Sequence, residues 1–246
     1  MKISLSVDSY KGVDGSSLSP IRCSQIVSIY EMLESMGDQV ITYVGLQELA
    51  ENKHLFGKAN AKSAVRTFFP LLKKLGFVNY EGSFAANRCF TETGTKFVLA
   101  SRALSFVDDN TPNKDEIIST LETIKSDSIK LGLINMNANP DYDEHNIWIV
   151  LRLFKEFGMI DWNEFLYALH CKENGRNIDD AINDIHENKA LIDEYEYTND
   201  KDEPLPNTCY SYIRSLLIEA GLITNTSPRN SKATKEAQLF FSQISL

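Results

Sequence analysis

Apolar positions recur in the same order along two stretches of the chain that lie more than a hundred residues apart. Residues 64–98 read AVRTFFPLLKKLGFVNYEGSFAANRCFTETGTKFV, and the stretch that begins at Cys209 reads CYSYIRSLLIEAGLITNTSPRNSKATKEAQLFF. Each stretch starts with apolar residues at helical spacing and reaches a glycine, Gly76 or Gly221, which is typical of a helix end. The pattern indicates an internal repeat.

The same elements follow the glycine in both repeats. A short apolar run comes first, at 77–78 and 222–223, and a polar, turn-forming segment comes next. A second helix then begins near a threonine, Thr91 or Thr234, which is a favoured helix cap. A helix, a β-hairpin and a helix in this order predict a winged helix. Winged helices mostly bind DNA or protein partners.

The first repeat is preceded by further predicted elements. Residues 1–17 are rich in Gly, Ser and Asp and predict a loose arm, and a helix is expected to start at Pro20 and to stop at Gly37. A short strand, a second helix, a third helix, the hairpin and a closing helix are predicted at 40–42, 46–50, 61–75, 77–90 and 92–104. Three helices and then a wing predict a winged-helix domain over residues 1–107.

The second half is predicted to be helical and to end in a second winged helix. The polar run 108–113 indicates a boundary, and helices are expected at 114–132, 146–157, 161–190 in two parts, and in the repeat itself. Asp161 and Glu164 have the spacing of a capping box. The acidic run 193–206 predicts an exposed connection. The expected fold is mainly α with small β-hairpin wings, as tandem winged-helix (helix-turn-helix) domains over 1–107 and 108–246.

The charge is unevenly distributed along the chain. The net charge of −9 divides into +3 for residues 1–107, −14 for 108–206 and +2 for 207–246. A protein that binds polyanions through its ends has this distribution, because the local field steers binding. An ordinary solvated acidic surface between two domains is the alternative interpretation.

Helix 61–75 carries the principal candidate DNA contacts. Arg66 is the candidate for base reading, while Lys62, Lys73 and Lys74 are candidates for phosphate contacts. Arg88 in the wing is expected in the minor groove. The complete set in this half of the chain is Lys58, Asn60, Lys62, Ser63, Arg66, Lys73, Lys74, Asn87, Arg88 and Lys96.

The corresponding helix of the second repeat is poorer in cations, whereas its wing is richer. Aligned on the glycines, Ser211 replaces Arg66 and Ile218 replaces Lys73. The candidate DNA contacts here are Arg214, Arg229, Asn230, Lys232 and Lys235. In both repeats, the alternative is that these cations form only a solvated surface.

Catalytic and metal-binding patterns are not apparent. The four cysteines and four histidines have no metal-ligand spacing, so reduced core cysteines and no metal or cofactor are expected. The ENK triplets at 51–53 and 187–189 match half of a nuclease motif, but they lie in or beside predicted helices. The chain has no apolar run of membrane-spanning length and no signal peptide at its start, so we expect a cytoplasmic protein without an activity of its own.

The order of elements resembles the DNA-recognition region of type IIS restriction endonucleases such as FokI, which consists of consecutive winged-helix-like subdomains. The resemblance rests on LLKKLGFVNYEGSF and FTETGTKFVLASRA, on helix 114–132 leading to IVLRLFKEFGMI, and on YIRSLLIEAGLI. It implies sequence-specific binding of double-stranded DNA, with Lys62, Arg66 and Arg88 as first contacts. Because no nuclease domain follows, it also implies a recognition subunit or fragment whose cleavage partner is another chain.

The chain is also similar, in size, acidity and duplication, to the tandem winged-helix subunits that associate with kleisins in chromosome-condensation complexes. That resemblance implies a protein-binding scaffold that works as a dimer. The acidic segment 108–206 would then bind a protein partner, and Lys62 and Arg66 would be ordinary surface residues. The sequence leaves the oligomeric state and the choice between the two functions open.

Overall fold

The structure, a computed structural model, describes residues 2–6, 17–57, 60–139, 146–205 and 208–244. The chain divides into two compact units. Residues 16–139 form the N-terminal unit, and residues 140–246 together with 1–15 form the C-terminal unit. Among the described residues, no helix is both long and apolar enough to cross a membrane.

The fold is mainly helical with small sheets, as predicted. The helices are α1 (Pro20–Met36), α2 (Tyr43–Asn52), α3 (Ala61–Lys74), α4 (Glu92–Leu104), α5 (Lys114–Asn137), α6 (Asn146–Phe157), α7 (Trp162–Glu173), α8 (Ile178–Asp193), α9 (Thr208–Glu219) and α10 (Lys235–Phe241). The strands are β1 (Lys2–Ser4), β2 (Val40–Thr42), β3 (Ser83–Ala85), β4 (Met159–Ile160), β5 (Glu196–Thr198), β6 (Ile223–Asn225) and β7 (Ser231–Ala233).

Helix α1 begins and ends where the sequence predicts. The hydroxyl of Ser19 caps it by accepting the N–H of Arg22 at 3.4 Å, and Pro20 occupies the first helical position. Gly37 ends it with φ of 59°, a left-handed conformation that glycine adopts at little cost. Of its apolar positions, Ile26, Ile29 and Leu33 are buried, whereas Ile21 is 75% exposed.

The wing of the N-terminal unit differs from the predicted regular hairpin over 77–90. Only Val78 and Phe90 form a bridge within that segment, and β3 pairs antiparallel with the distant β2, with Val40 opposite Ala85. Residues Ala86–Arg88 then form a 3₁₀ turn. Local pattern could not predict this pairing because β2 and β3 are about forty residues apart.

Helix α5 belongs to the N-terminal unit, so this unit extends to residue 139, whereas the sequence predicted a boundary after residue 107. Helix α5 packs along α4, and its apolar residues Ile129, Leu133 and Met136 are buried. Gly132 allows a close approach, since a Cβ there would lie 2.9 Å from the carbonyl oxygen of Leu75. The polar run 108–113 is therefore a loop between two packed helices.

In the C-terminal unit, the sheet order is β4-β7-β6, and both neighbouring pairs are antiparallel. The unit also contains a parallel pair that the sequence did not predict, between β1 and β5, with Ile3 opposite Tyr197. Residues 2–4 are thus a strand and not a loose arm, and residues 196–198 of the predicted exposed connection form its partner.

The predicted capping box at the start of α7 is confirmed. The carboxylate of Asp161 accepts the N–H of Glu164 at 3.1 Å, and the carboxylate of Glu164 accepts the N–H of Asp161 at 2.7 Å. Glu164 is only 3% exposed and lies 2.5 Å from Nζ of Lys189 on α8. The capping residue therefore also joins α7 to α8.

The repeat in the sequence is also a repeat in the structure. The hydroxyl of Thr91 donates to the carbonyl of Gly76 at 2.7 Å, and that of Thr234 donates to the carbonyl of Gly221 at 2.8 Å. The same hydroxyls cap α4 and α10. In both units one threonine therefore holds the end of one helix against the start of the next.

Candidate nucleic-acid interface

Helix α3 separates an apolar face from a basic one. Val65, Phe68, Phe69 and Leu72 are buried, as the helical spacing predicts. The residues of this helix that carry charge are all cations, at positions 62, 66, 73 and 74. A helix without carboxylates of its own is suited to approach a polyanion.

The N-terminal end of α3 is held by side chains that the sequence only partly identified. The side-chain oxygen of Asn60 accepts the N–H of Ser63 at 2.6 Å, which makes Asn60 the helix cap. The N–H of Lys62 donates to the carboxylate of Glu51 on α2 at 2.9 Å. The positive end of the helix thus already interacts with one carboxylate. A phosphate that approached this end would also come close to that carboxylate. Lys58 lies outside the described residues.

Four of the predicted cations have carboxylate neighbours. Nζ of Lys73 lies 3.1 Å from Glu81, and Nζ of Lys62 lies 3.9 Å from Glu48. Arg88 lies 3.6 Å from Asp38, and Lys96 lies 2.7 Å from Glu92. All eight side chains are in contact with solvent, so the pairs are weak and a phosphate can compete for the cations. Only the Glu92–Lys96 pair has a sequence signal, the spacing of four residues on a helix.

Arg66 is the most available cation of α3. It is exposed, and it makes no ion pair with any described residue. Tyr43, which lies near it, stacks on Tyr80 with ring centroids 4.5 Å apart. Burial raises the pKa of Tyr43, and the charge of Arg66 acts in the opposite direction. Nothing in the sequence pattern identified this pair of tyrosines beside the basic face.

Lys73 joins the same group, since its Nζ lies 5.3 Å from the centroid of the Tyr80 ring. Lys74 is half-buried near the end of the helix. Asn87 has a structural position, because its N–H donates to the carbonyl of Gly37 at 3.0 Å and its side-chain oxygen is buried without a partner. Ser63, by contrast, is exposed one turn before Arg66.

The C-terminal unit does not present its equivalent helix in the same way. Every residue of α9 from 209 to 219 is buried or half-buried. Arg214, a predicted DNA contact, is only 8% exposed. Its guanidinium donates to backbone carbonyls of the turn between β6 and β7, so its donors face the protein. A groove of about 350 Å³ lies along α9 beside this turn. Its lining consists of Ser211, Arg214, Ser215, Ile218 and Glu219 on the helix, Asn225 at the end of β6 and Pro228 on the turn.

The wing of the C-terminal unit presents free cations. Arg229 and Lys232 of the wing, and Lys235 at the start of α10, are exposed, and none of them makes an ion pair with a described residue. Asn230 is half-buried, and its N–H donates to the hydroxyl of Ser227 at 3.1 Å. Residues 220–235 contain these three cations and no acidic residue. The local charge of this wing is therefore positive, although the unit as a whole is acidic.

The charge balance changes when it is taken over the structural units. The N-terminal unit holds 13 basic and 13 acidic residues, and the C-terminal unit holds 12 basic and 21 acidic residues. The predicted positive excess of residues 1–107 is cancelled by the acidic residues of the α4–α5 loop and α5. Any attraction of a polyanion must therefore come from local surfaces.

The described residues contain no group of three or more His, Cys, Asp or Glu side chains that could hold a metal ion. All four cysteines are buried and reduced. Burial raises the pKa of Cys89 and of Cys209 to about 12. Both are therefore neutral thiols at pH 7, a form that is a poor nucleophile.

Comparisons with protein-family models, with curated proteins and with solved structures find no match.

Proposed function

We propose that both units are winged-helix domains and that the protein binds double-stranded DNA through α3 of the N-terminal unit. Arg66 reads base edges, and Lys62, Lys73 and Lys74 contact phosphates. The observation that carries the proposal is α3 itself. It is a fully amphipathic helix whose charged residues are all cations, with Ser63 and Arg66 exposed.

The connectivity of the two units supports the winged-helix assignment. In the N-terminal unit, strand β2 follows the first helix and pairs with β3, which lies beyond α3. In the C-terminal unit, β4 follows α6 and pairs with β7, beyond α9. A strand that follows the first helix and joins the wing sheet is the arrangement of a winged helix.

The two units contribute differently. The N-terminal unit supplies an outward helix, whereas the C-terminal unit supplies a basic wing with Arg229 and Lys232, followed by Lys235 at the start of α10. Base edges specify the sequence and phosphate contacts supply affinity. The N-terminal unit would therefore determine specificity and the C-terminal wing would strengthen binding.

The proposal is tested by a fluorescence-anisotropy titration of the full chain against a randomised duplex pool at about 50 and 200 mM salt, followed by sequencing of the retained duplexes. We expect salt-sensitive binding and an enriched motif. Binding without an enriched motif would contradict base reading. The enriched motif would also show whether a recognition-subunit role or a regulatory role fits better.

A protein-binding scaffold is the second candidate function. It is favoured by the segment 174–207 between α7 and α9, which replaces an eight-residue connection in the N-terminal unit and carries 10 acidic residues against 3 basic ones. An acidic surface of this kind fits a basic protein partner. Absence of DNA binding at about 50 mM salt would favour this role, and the protein is then expected to act in the cytoplasm as a subunit of a larger assembly.

A further inference from the structure

Arg214 occupies a place in the C-terminal unit where the N-terminal unit has an aromatic residue. It lies seven residues before Gly221, and Phe69 lies seven residues before Gly76. Phe69 is fully buried and contacts Tyr80 of its own wing, with ring centroids 5.6 Å apart. In the N-terminal unit this position therefore contributes apolar packing to the wing. In the C-terminal unit the arginine at this position makes a different kind of contact.

The guanidinium of Arg214 binds the turn that joins β6 to β7. Nη1 donates to the carbonyl of Pro228 at 2.6 Å, and Nη2 donates to the carbonyls of Ser227 and Asn230 at 3.1 and 3.3 Å. Nη2 also donates to the side-chain oxygen of Asn225. One side chain therefore fixes both sides of the turn.

All of these acceptors are neutral. Arg214 has no carboxylate within ion-pair distance among the described residues, and its Nε is buried without a partner. A buried charge is tolerated only where hydrogen bonds replace its hydration. Because the turn carbonyls supply those bonds, the turn cannot leave α9 without depriving the buried charge of its acceptors. The contact constrains the turn and the arginine together.

The turn that Arg214 holds carries one exposed cation, and the strand after it carries another. Arg229 lies between Pro228 and Asn230, whose carbonyls both accept bonds from Arg214. Lys232 follows on β7 and is exposed. We propose that Arg214 is a positioning residue, which orders the second wing, residues 223–233, so that Arg229 and Lys232 contact the phosphates of double-stranded DNA. This inference rests on the proposed function.

The role differs from the contact that the sequence suggested for Arg214. Its donors are directed to the protein, so it does not touch DNA. Its bonds already restrict the wing in the free protein, so the wing loses less conformational entropy when DNA binds. Since the wing cations face phosphates, the effect is on affinity and salt dependence and leaves the preferred sequence unchanged.

The test combines amide hydrogen exchange with DNA titration, both on the full chain. The variant Arg214→Met retains the length of the side chain and removes its bonds. We expect faster exchange at residues 226–230, where the amides of Thr226 and Ser227 donate to the carbonyl of Asn230. We also expect weaker binding of a random duplex by about threefold to tenfold and a shallower salt slope, by about 0.9 for each phosphate that the wing no longer neutralises.

Two further variants complete the test. Asn225→Ala takes the place of Arg214→Met if that variant does not fold. It removes one of the acceptors of Arg214, on an exposed residue, and should give a smaller effect of the same kind. The double variant Arg229→Gln with Lys232→Gln should reduce the salt slope by about as much as Arg214→Met while exchange at residues 226–230 stays as in the wild type.

The outcomes separate this inference from the proposed function. If the wild type binds DNA and Arg214→Met binds with the same affinity and slope, Arg214 does not position a DNA contact and the inference is overturned. Unchanged exchange at residues 226–230 would also overturn it. If the wild type binds no DNA at about 50 mM salt, the proposed function itself fails, and the phosphate role of the wing fails with it.

Discussion

The carboxylate of Glu81 lies 3.1 Å from the ammonium group of Lys73, on the face of α3 that we propose binds DNA. Lys62 has a similar neighbour in Glu48, at 3.9 Å. In each case the carboxylate occupies the place that a phosphate would take. Binding of DNA therefore requires an exchange of partners, and this gives the proposal a distinctive consequence.

Removing these carboxylates should strengthen DNA binding. We expect Glu81→Gln and Glu48→Gln each to increase affinity about twofold to fivefold, because exposed ion pairs are worth up to about 1 kcal/mol. Anisotropy titrations at constant salt measure the change. Glu116→Gln, on the exposed side of α5, changes the net charge equally and serves as the control. Gains no larger than that of the control would place the interface elsewhere.

Arg66 and Lys73 should differ in what they contribute. Arg66→Ala should cost about 1–3 kcal/mol of binding free energy and relax the sequence preference, whereas Lys73→Ala should weaken all sequences alike. Titration against the enriched motif and against a scrambled duplex separates the two effects. Arg102→Ala, which removes an arginine of α4 that is paired with Glu31, is the matched control. Equal binding by all three variants would refute the assignment of α3.

The threonines that connect the two helices of each repeat should stabilise both units. Thr91→Ala and Thr234→Ala each remove a helix cap and a bond to the preceding helix end, so we expect a decrease of about 1–2 kcal/mol in the free energy of unfolding. Urea denaturation measures it. Serine at the same positions should restore most of the stability. Thr120→Ala, whose exposed hydroxyl bonds only to its own helix at Glu116, should have little effect.

Gly94 should not tolerate a side chain. A Cβ at this position would lie 2.0 Å from the carbonyl oxygen of Phe77, a backbone atom that cannot move alone. We expect Gly94→Ala to destabilise the protein by about 3 kcal/mol, although alanine favours a helix. Gly45→Ala is the control, because its nearest neighbours, 3.2 Å and more away, are the side chains of Ile41 and Thr42. A similar stability for the two variants would contradict the close approach of α4 to Phe77.

Glu164 and Lys189 should give a pH-dependent contribution to stability. Burial raises the pKa of Glu164, and the hydrogen bond from Lys189 acts in the opposite direction. Lys189→Met should therefore raise that pKa further and leave a buried carboxylate without its cation at pH 7. A group whose pKa is raised by folding stabilises most below its unfolded pKa, and this contribution is lost as pH rises through the folded pKa.

We therefore expect Lys189→Met to lower the free energy of unfolding by about 1–2 kcal/mol at pH 7, a modest amount because Lys189 is half exposed. The decrease should be smaller near pH 4, where Glu164 binds a proton. Urea denaturation at the two pH values measures the difference. Adding Glu164→Gln to the variant should remove the pH dependence of the cost. A cost that is equal at both pH values would show that the pair contributes by packing alone.

Much of the local structure could be predicted from the sequence. Helix α1 starts at Pro20 and stops before Gly37, α4 spans 92–104, and the capping box at Asp161 forms as its spacing predicts. Each of these depends on residues within one turn of one another. The repeat was also visible, because the glycine and the threonine that define it recur in the same order.

The candidate site was predictable only in part. The apolar and basic faces of α3 follow from helical spacing, and Arg66 is exposed as that spacing requires. The carboxylates of Glu48 and Glu81, and the tyrosines at 43 and 80, reach the site from other elements. Their proximity depends on packing between segments, which periodicity does not contain.

Arg214 shows most clearly what could not be predicted from the sequence. On the sequence, an arginine on the presumed recognition helix indicates a DNA contact, and its neighbours give no contrary signal. In the fold, the β6–β7 turn returns to α9, buries the guanidinium and supplies its hydrogen-bond acceptors. By itself the sequence determined the helices, their caps and the duplication, since these rest on contacts within a few residues. Tertiary structure decided the pairing of β2 with β3 and of β1 with β5, the partners of the candidate cations and the contacts of Arg214. Each of these depends on groups that only folding brings together.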